Sequence, residues 1–247
     1  MLIYRFLLAF ALLIFVSSCQ FVETMEVRED GGGKIAVSMD MSEMMTFGQM
    51  MQDSSLTKTD TIIHMKDFLE AKKDSIATLP ADEQRRLKEL EDFSFKTYMD
   101  PEAGKMDIEV FTEFDRVDEI GDLMGAFEKS GDFMKGLSQD DNGQSTSDSS
   151  DGLIGVKFSM KNGVFKRDAF IRDPEKHKQQ MDSISSAESF LEGMKYTLRY
   201  RFPRRIKDAS SPDVKLSLDG RSIELERPFL EYFKNPDVLD LEVVLED

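Results

Sequence analysis

Apolar residues in this chain fall into two recurring patterns: short stretches in which every second position is apolar, and stretches in which they return at helical spacing. Together they form a repeated unit of two strand-like segments, a turn between them and a helix after them. The first unit sets FVETMEV (21–27) against IAVSMDM (35–41) across the turn EDGGGK, and a helix is predicted from Ser42 to Gln52. Asp40 or Ser42 can cap that helix, and Asp40 with Glu43 has the spacing of a capping box. The second unit joins FSFKTYM to MDIEVFTEF through DPEAGK, with a helix near Val117 to Phe127. The third joins LIGVKFSM to VFKRDAFI through KNG, with a helix from Pro174 to Met194. The fourth runs from YTLRYRF through an irregular stretch to KLSLDGRSIELE and a short helix at Phe229 to Phe233.

Two details fix register. Asp219-Gly220 is a two-residue hairpin signal, and a turn there sets Leu216 opposite Ile223. The final strand, LDLEVVLED, turns Leu239, Leu241, Val243 and Leu245 inward and Asp240, Glu242 and Glu246 outward, so it is half buried. Between the first and second units a helical region is predicted over Thr61 to Ala71 and Asp82 to Leu90. The expected fold is α+β: antiparallel sheets built from successive hairpin-plus-helix units, with helices packed on one face. Residues 138–152, SQDDNGQSTSDSSDG, hold no apolar side chain to offset ordering entropy and read as a flexible acidic, Ser-rich loop. On either side lie an N-terminal part, 19–137, and a C-terminal part, 153–247, which stand apart or form one domain.

The N-terminus departs from this pattern. Arg5 precedes an unbroken apolar run from Phe6 to Val16, too short for a spanning helix of roughly 20 residues. Residues 1–18 therefore read as a cleavable signal peptide. The chain's single cysteine, Cys19, follows the small pair Ser17-Ser18 directly, and Val16-Ser17-Ser18-Cys19 resembles the lipobox of bacterial lipoproteins. That resemblance implies a diacylglyceryl thioether on Cys19 and an acyl chain on its amino group. By that resemblance Cys19 is a membrane tether; the alternative, an ordinary secreted protein with an incidental cysteine, leaves a free thiol that makes no intramolecular disulfide and is unusual in an exported protein. Gln20 is not the aspartate that favours inner-membrane retention in such proteins, so attachment to the outer membrane facing the periplasm is expected.

Composition narrows the partners. A formal charge of −16 argues against nucleic acid and against anionic surfaces except where a basic face is local. With no tryptophan, 19 phenylalanines and 16 methionines, the core is filled by aromatic and flexible side chains.

Candidate chemistry is sparse. Read as a calcium loop from Asp140, the 138–152 segment places Ser145 where the sharp turn requires glycine. The methionines of MDMSEMMTFGQMM offer soft ligands, but Met44, Phe47 and Met51 fall at core spacing and no histidine joins them. His64 and His177 lie far apart in polar helical contexts. Carboxylates at Glu109, Glu113, Asp115, Asp118, Glu119 and Asp122 read as solvated surface, and no phosphate loop, nucleophile elbow or zinc helix occurs. No metal and no cofactor is expected. One basic patch stands out in KYTLRYRFPRRIK: Tyr196, Leu198, Tyr200 and Phe202 share one strand face, and Arg199 and Arg201 share the other, followed by Arg204 and Arg205. These four arginines are candidates for binding anionic head groups, or for pairing with acidic neighbours across the sheet.

The segments TMEVREDGGGKIAVSMDMS and YRFPRRIKDASSPDVKLSLDGRSIELERPF resemble the start and end of envelope lipoproteins of the LppM type. In that family a strand, a glycine turn and a strand follow the lipidated cysteine, and a phenylalanine-proline element precedes a late hairpin. The resemblance implies a cell-envelope location and lipid-type ligands, without an assigned catalytic role. The expected protein is thus a lipid-anchored, non-catalytic binding or scaffolding module. Its partners are the membrane, through Cys19, and an envelope protein or lipid ligand. The alternatives are a carrier of a lipid or other apolar ligand, and a carboxylate-based hydrolase.

Overall fold

Twelve strands form two sheets in the computed structural model, which describes residues 20–42, 57–127, 152–184 and 188–247. The first hairpin is β1 (Gln20–Val27) and β2 (Gly33–Asp40). Strands β3 (Thr59–His64), β4 (Ser94–Asp100) and β5 (Lys105–Phe114) extend from β2 by antiparallel pairing. The second half supplies β6 (Ile154–Lys161), β7 (Val164–Ile171), β8 (Lys195–Arg201) and β9 (Ile206–Ala209). The last strands are β10 (Lys215–Leu216), β11 (Ser222–Pro228) and β12 (Leu241–Leu245). The larger sheet has the order β10-β11-β8-β1-β2-β5-β4-β3, and the smaller β6-β7-β12-β9.

One pairing departs from the antiparallel expectation. Strand β1 runs parallel to β8, with Gln20 beside Lys195 and Glu26 beside Arg201. A strand from before residue 138 and one from after 152 therefore share the centre of a single sheet. Parallel neighbours need a long crossover, and here the whole intervening chain serves as one.

The alternation read in the sequence sets which faces meet. Phe21, Met25 and Val27 of β1, Leu198 and Tyr200 of β8, Phe165 and Ala169 of β7, and Leu241, Val243 and Leu245 of β12 all fall in one buried core. Across it, the ring of Phe165 meets Tyr200 at 5.6 Å and Phe202 at 5.2 Å, so the two sheets pack against each other through aromatic edges. The Asp219-Gly220 turn forms with Gly220 at φ +67°, and Leu216 pairs with Ile223 as the hairpin rule requires. Asn162 and Gly163 likewise adopt positive φ between β6 and β7.

The helices are α1 (Met65–Ala71), α2 (Lys73–Ile76), α3 (Ala81–Glu89), α4 (Pro174–Ile184), α5 (Glu188–Leu191) and α6 (Phe229–Lys234). Thr61 to His64, read as helical from sequence, belong to β3, where the run Thr-Ile-Ile suits the pleated surface better than a helix. The stretch after β8 is not wholly irregular: β9 closes the edge of the smaller sheet against β12. The helix expected at Val117 starts as a 3₁₀ turn, Val117–Glu119, and residues 123–127 are helical. That expected over 174–194 is described as α4 and α5. The helix predicted from Ser42 to Gln52 lies outside the described residues beyond Ser42, whose N–H donates to Asp40 Oδ1 at 2.9 Å. The loop 138–152 lies outside them up to Asp151.

Among the described residues, one buried side-chain polar atom has no partner. Thr197 of β8 is 1% exposed, and its hydroxyl makes no hydrogen bond. An enclosed, unpaired hydroxyl destabilises the fold, and valine has the same shape without it. Thr197→Val is expected to raise stability by about 1 kcal/mol, read as a higher urea midpoint with unchanged slope.

Candidate functional site

Two features meet in the first half of β1. The first is charged. Alternation along β1 turns Glu23 into the core between Phe21 and Met25, and along β7 it turns Arg167 inward between Phe165 and Ala169. Their side chains, 3% and 0% exposed, form a two-pronged ion pair: Arg167 Nε donates to Glu23 Oε1 at 3.2 Å and Nη2 to Oε2 at 3.0 Å. Tyr196 donates to Oε2 at 2.7 Å, and Tyr200 donates to Oε1. Arg167 Nη1 donates to the Leu239 carbonyl at 3.1 Å, and Nη2 reaches the Tyr232 hydroxyl at 3.5 Å.

Burial alone would push the Glu23 carboxyl up, but the Arg167 guanidinium and the bonds from Arg167, Tyr200 and Tyr196 outweigh it and hold the group below the usual carboxylate range. Burial, reinforced by the Glu23 charge, pushes both tyrosine hydroxyls well up, so they stay protonated donors. Each Glu23 oxygen accepts two bonds, leaving no free lone pair to take a substrate proton. The cluster is a clamp between the sheets.

The second feature is an apolar groove of about 380 Å³ beside that clamp. Phe21 of β1, Met39 and Met41 at the end of β2, and Ile108 of β5 line one side. Phe229 and Phe233 of α6 line it as well, with Met124, Phe127 and Ile154. Phe21 stacks on Phe229 at 4.7 Å and meets the edge of Phe127 at 5.7 Å. Tyr232 supplies the lining's hydroxyl, and that hydroxyl is turned to Arg167. His177 of α4, 7% exposed, donates from Nε2 to the Phe233 carbonyl at 2.7 Å and pins the end of α6. The groove lies at the end of the sheet where β1 begins.

A third, larger cleft of about 760 Å³ gathers part of the carboxylate run. Glu113, Asp115, Glu119 and Asp122 line it with His64, whose Nδ1 is 2.8 Å from Ser94 Oγ. Asp122 is bound to Arg172 at 2.9 Å. Glu109 and Asp118 point elsewhere, to Lys34 at 3.7 Å and Arg116 at 2.6 Å. Among the described residues, no three His, Cys, Asp or Glu side chains are arranged to hold a metal ion. The two histidines stand in separate surroundings.

The basic patch keeps the predicted division of faces, with Tyr196, Leu198, Tyr200 and Phe202 buried and Arg199 and Arg201 outside. Arg199 Nε binds Glu224 at 3.0 Å, across the β8–β11 pair. Arg201 binds Asp219 at 3.1 Å, and Arg205 lies 3.9 Å from Glu246. Arg204, beyond the end of β8, approaches the turn at Gly163. Because β1 and β8 are parallel, with Arg199 beside Thr24 and Arg201 beside Glu26, these two lie about 13 and 20 Å along the strands from the Gln20 end at the usual rise, and Arg204 and Arg205 follow Arg201 in the chain. Cys19 itself lies outside the described residues.

Sequence reading missed Glu23 and Arg167. Each is a charge at a position whose two same-face neighbours are apolar, and that break in alternation was the available signal.

No protein-family profile matches the chain, and no curated protein matches its sequence. Among solved structures, it is similar to the NMR structure of the folded domain of Mycobacterium tuberculosis LppM, at 8% identity and a TM-score of 0.36, over 95% of this chain and 93% of that one. Among the described residues, no helix is long and apolar enough to cross a membrane.

Proposed function

We propose that this protein is a cell-envelope lipoprotein, tethered through a lipidated Cys19, that works as a non-catalytic binding module whose ligand is apolar. The observation that carries the binding reading is the groove of about 380 Å³ walled by Phe21, Met39, Phe229 and Phe233. Its size lies within the range of ligand pockets, roughly 300–1,000 Å³. Among the described residues its lining offers hydrocarbon and thioether contacts and no charged group, so it selects a chain or ring over a polar head. The saturated clamp at Glu23 supports a binding role over a catalytic one, because it holds the groove's Tyr232 wall rigid while exposing no reactive atom.

The tether belongs at the outer membrane, with the domain in the periplasm. In that arrangement the groove lies near the membrane end of the fold. A phosphate-bearing partner of Arg199, Arg201, Arg204 and Arg205 would approach from the far end.

Two measurements test the reading. Cys19→Ser is expected to move the protein from the membrane to the soluble fraction without detergent, and a variant that stays membrane-bound would refute the tether. The soluble Cys19→Ser protein is expected to bind a fluorescent long-chain fatty acid saturably, and Met124→Asp, in the groove's lining, to abolish that binding while leaving circular dichroism unchanged. Equal binding by both proteins would remove the groove as the site.

A further inference from the structure

We propose that the groove holds one acyl chain of the protein's own anchor, so that Cys19 is tethered to the membrane by its remaining chains and to the domain by this one. The inference rests on the lipoprotein reading above and adds the identity of the occupant. Its starting point is position. Phe21, which forms one wall of the groove, stands two residues after Cys19, no more than about 7 Å of fully extended backbone. Register fixes that wall: Phe21 pairs with Met39 on one side and Tyr196 on the other, and its ring stacks on Phe229. An acyl chain linked to Cys19 through the amino group or the thioether therefore begins beside the groove.

Chemistry agrees with position. The Tyr232 hydroxyl is committed to Arg167, and the other walls are phenylalanine, methionine and isoleucine. Such walls recognise a hydrocarbon chain and nothing of a head group. Met39, Met41 and Met124 are unbranched and adapt to a chain without fixed shape.

The balance between groove and bilayer follows from the same facts. A methylene loses the same contact with water in either place, so burial alone does not choose between them. Proximity does. A chain attached two residues from the wall meets the groove at the high effective concentration of a short linker, whereas a free bilayer lipid must leave its neighbours and enter alone. Two chains left in the membrane still hold the protein firmly.

The test uses the full-length, lipidated protein. Cells are supplied with a photoreactive fatty acid that enters lipoprotein acyl chains, and the purified protein is placed in nanodiscs of unlabelled phosphatidylethanolamine and phosphatidylglycerol. After illumination and digestion, mass spectrometry is expected to find Cys19-borne label joined to peptides containing Ile108, Met124 or Phe229–Phe233, several times more often than to any other peptide. Label on Cys19 joined only to nanodisc lipid would overturn the proposal while leaving the lipoprotein reading intact. Label joined instead to peptides from 43–56 or 128–151 would overturn it too. A Cys19 peptide without any acyl group would refute the lipoprotein reading itself. In a second arm the label sits in the nanodisc phospholipid and the protein is Cys19→Ser. Cross-linking of the groove peptides as strong as in the first arm would assign the groove to bilayer lipid and overturn the proposal, whereas weak cross-linking supports the anchor.

Discussion

Arg167→Ala is expected to lower stability by about 3–5 kcal/mol, the cost of leaving a buried charge without its partner. The reason lies in how Glu23 is enclosed. With the guanidinium gone, its carboxylate keeps only Tyr196 and Tyr200 as donors, and the Leu239 carbonyl loses the Nη1 bond. The destabilised protein relieves this by taking up a proton. In the native chain, Glu23 titrates below the ordinary carboxylate range, so its contribution is present above the unfolded pKa, about 4.3, and is lost as pH falls through the folded value. Removing Arg167 removes the main cause of that depression, and burial, now unopposed by it, pushes the carboxyl up. The variant's deficit relative to the native protein is therefore largest near neutral pH and shrinks toward acid. Adding Glu23→Gln to Arg167→Met should restore part of the loss, since the neutral amide still accepts from one tyrosine and donates to the other. Urea melts at neutral and acid pH check both statements. A loss below about 1 kcal/mol in the single variant would show that the pair does not clamp the sheets.

Gly33→Ala is the second large effect, expected to cost about 3 kcal/mol, the upper end of overpacking. Gly33 is buried at the head of β2, paired with Val27 on one side and Phe114 on the other. A methyl there would collide with the carbonyl oxygen of Glu26 and stand 2.6 Å from Phe114 Cζ. The first obstacle is backbone of the neighbouring strand, so relief requires β1 and β2 to part, at the end of the pair away from Glu23 and the groove. Gly31→Ala makes the control. No atom lies within 4 Å of its added methyl, but its φ of +88° disfavours any side chain, a cost of about 1 kcal/mol. Thermal melts should rank the two variants in that order. Equal shifts would mean that the strands separate freely at Gly33.

The three glycines of EDGGGK show where sequence reading stops. As letters they mark one turn. In the fold Gly31 serves the left-handed conformation, while Gly33 serves the close approach of a strand. Conformational freedom is a local property, but the nearness of Glu26 and Phe114 is a result of pairing.

The sequence by itself determined the hairpins β1–β2, β4–β5 and β6–β7, the register at the Asp219-Gly220 turn, the inward face of β12, and the split of β8 into a buried aromatic face and an arginine face. All of these follow from period-two alternation and turn chemistry, which act between residues near in the chain. The TDTIIH segment misled because a short apolar run beside a true helix carries no clear period, and its β-branched residues were outweighed by the helical stretch that follows. Only the tertiary structure decided that β1 lies parallel to β8. That pairing joins the two halves in one sheet, moves the arginines away from the Cys19 end and makes Phe21 a wall of the groove. It also decided that Glu23 meets Arg167, 144 residues away. Alternation reports that a side chain points inward, but not what waits across the core, because opposite charges on separate strands meet only when the sheets that carry them pack.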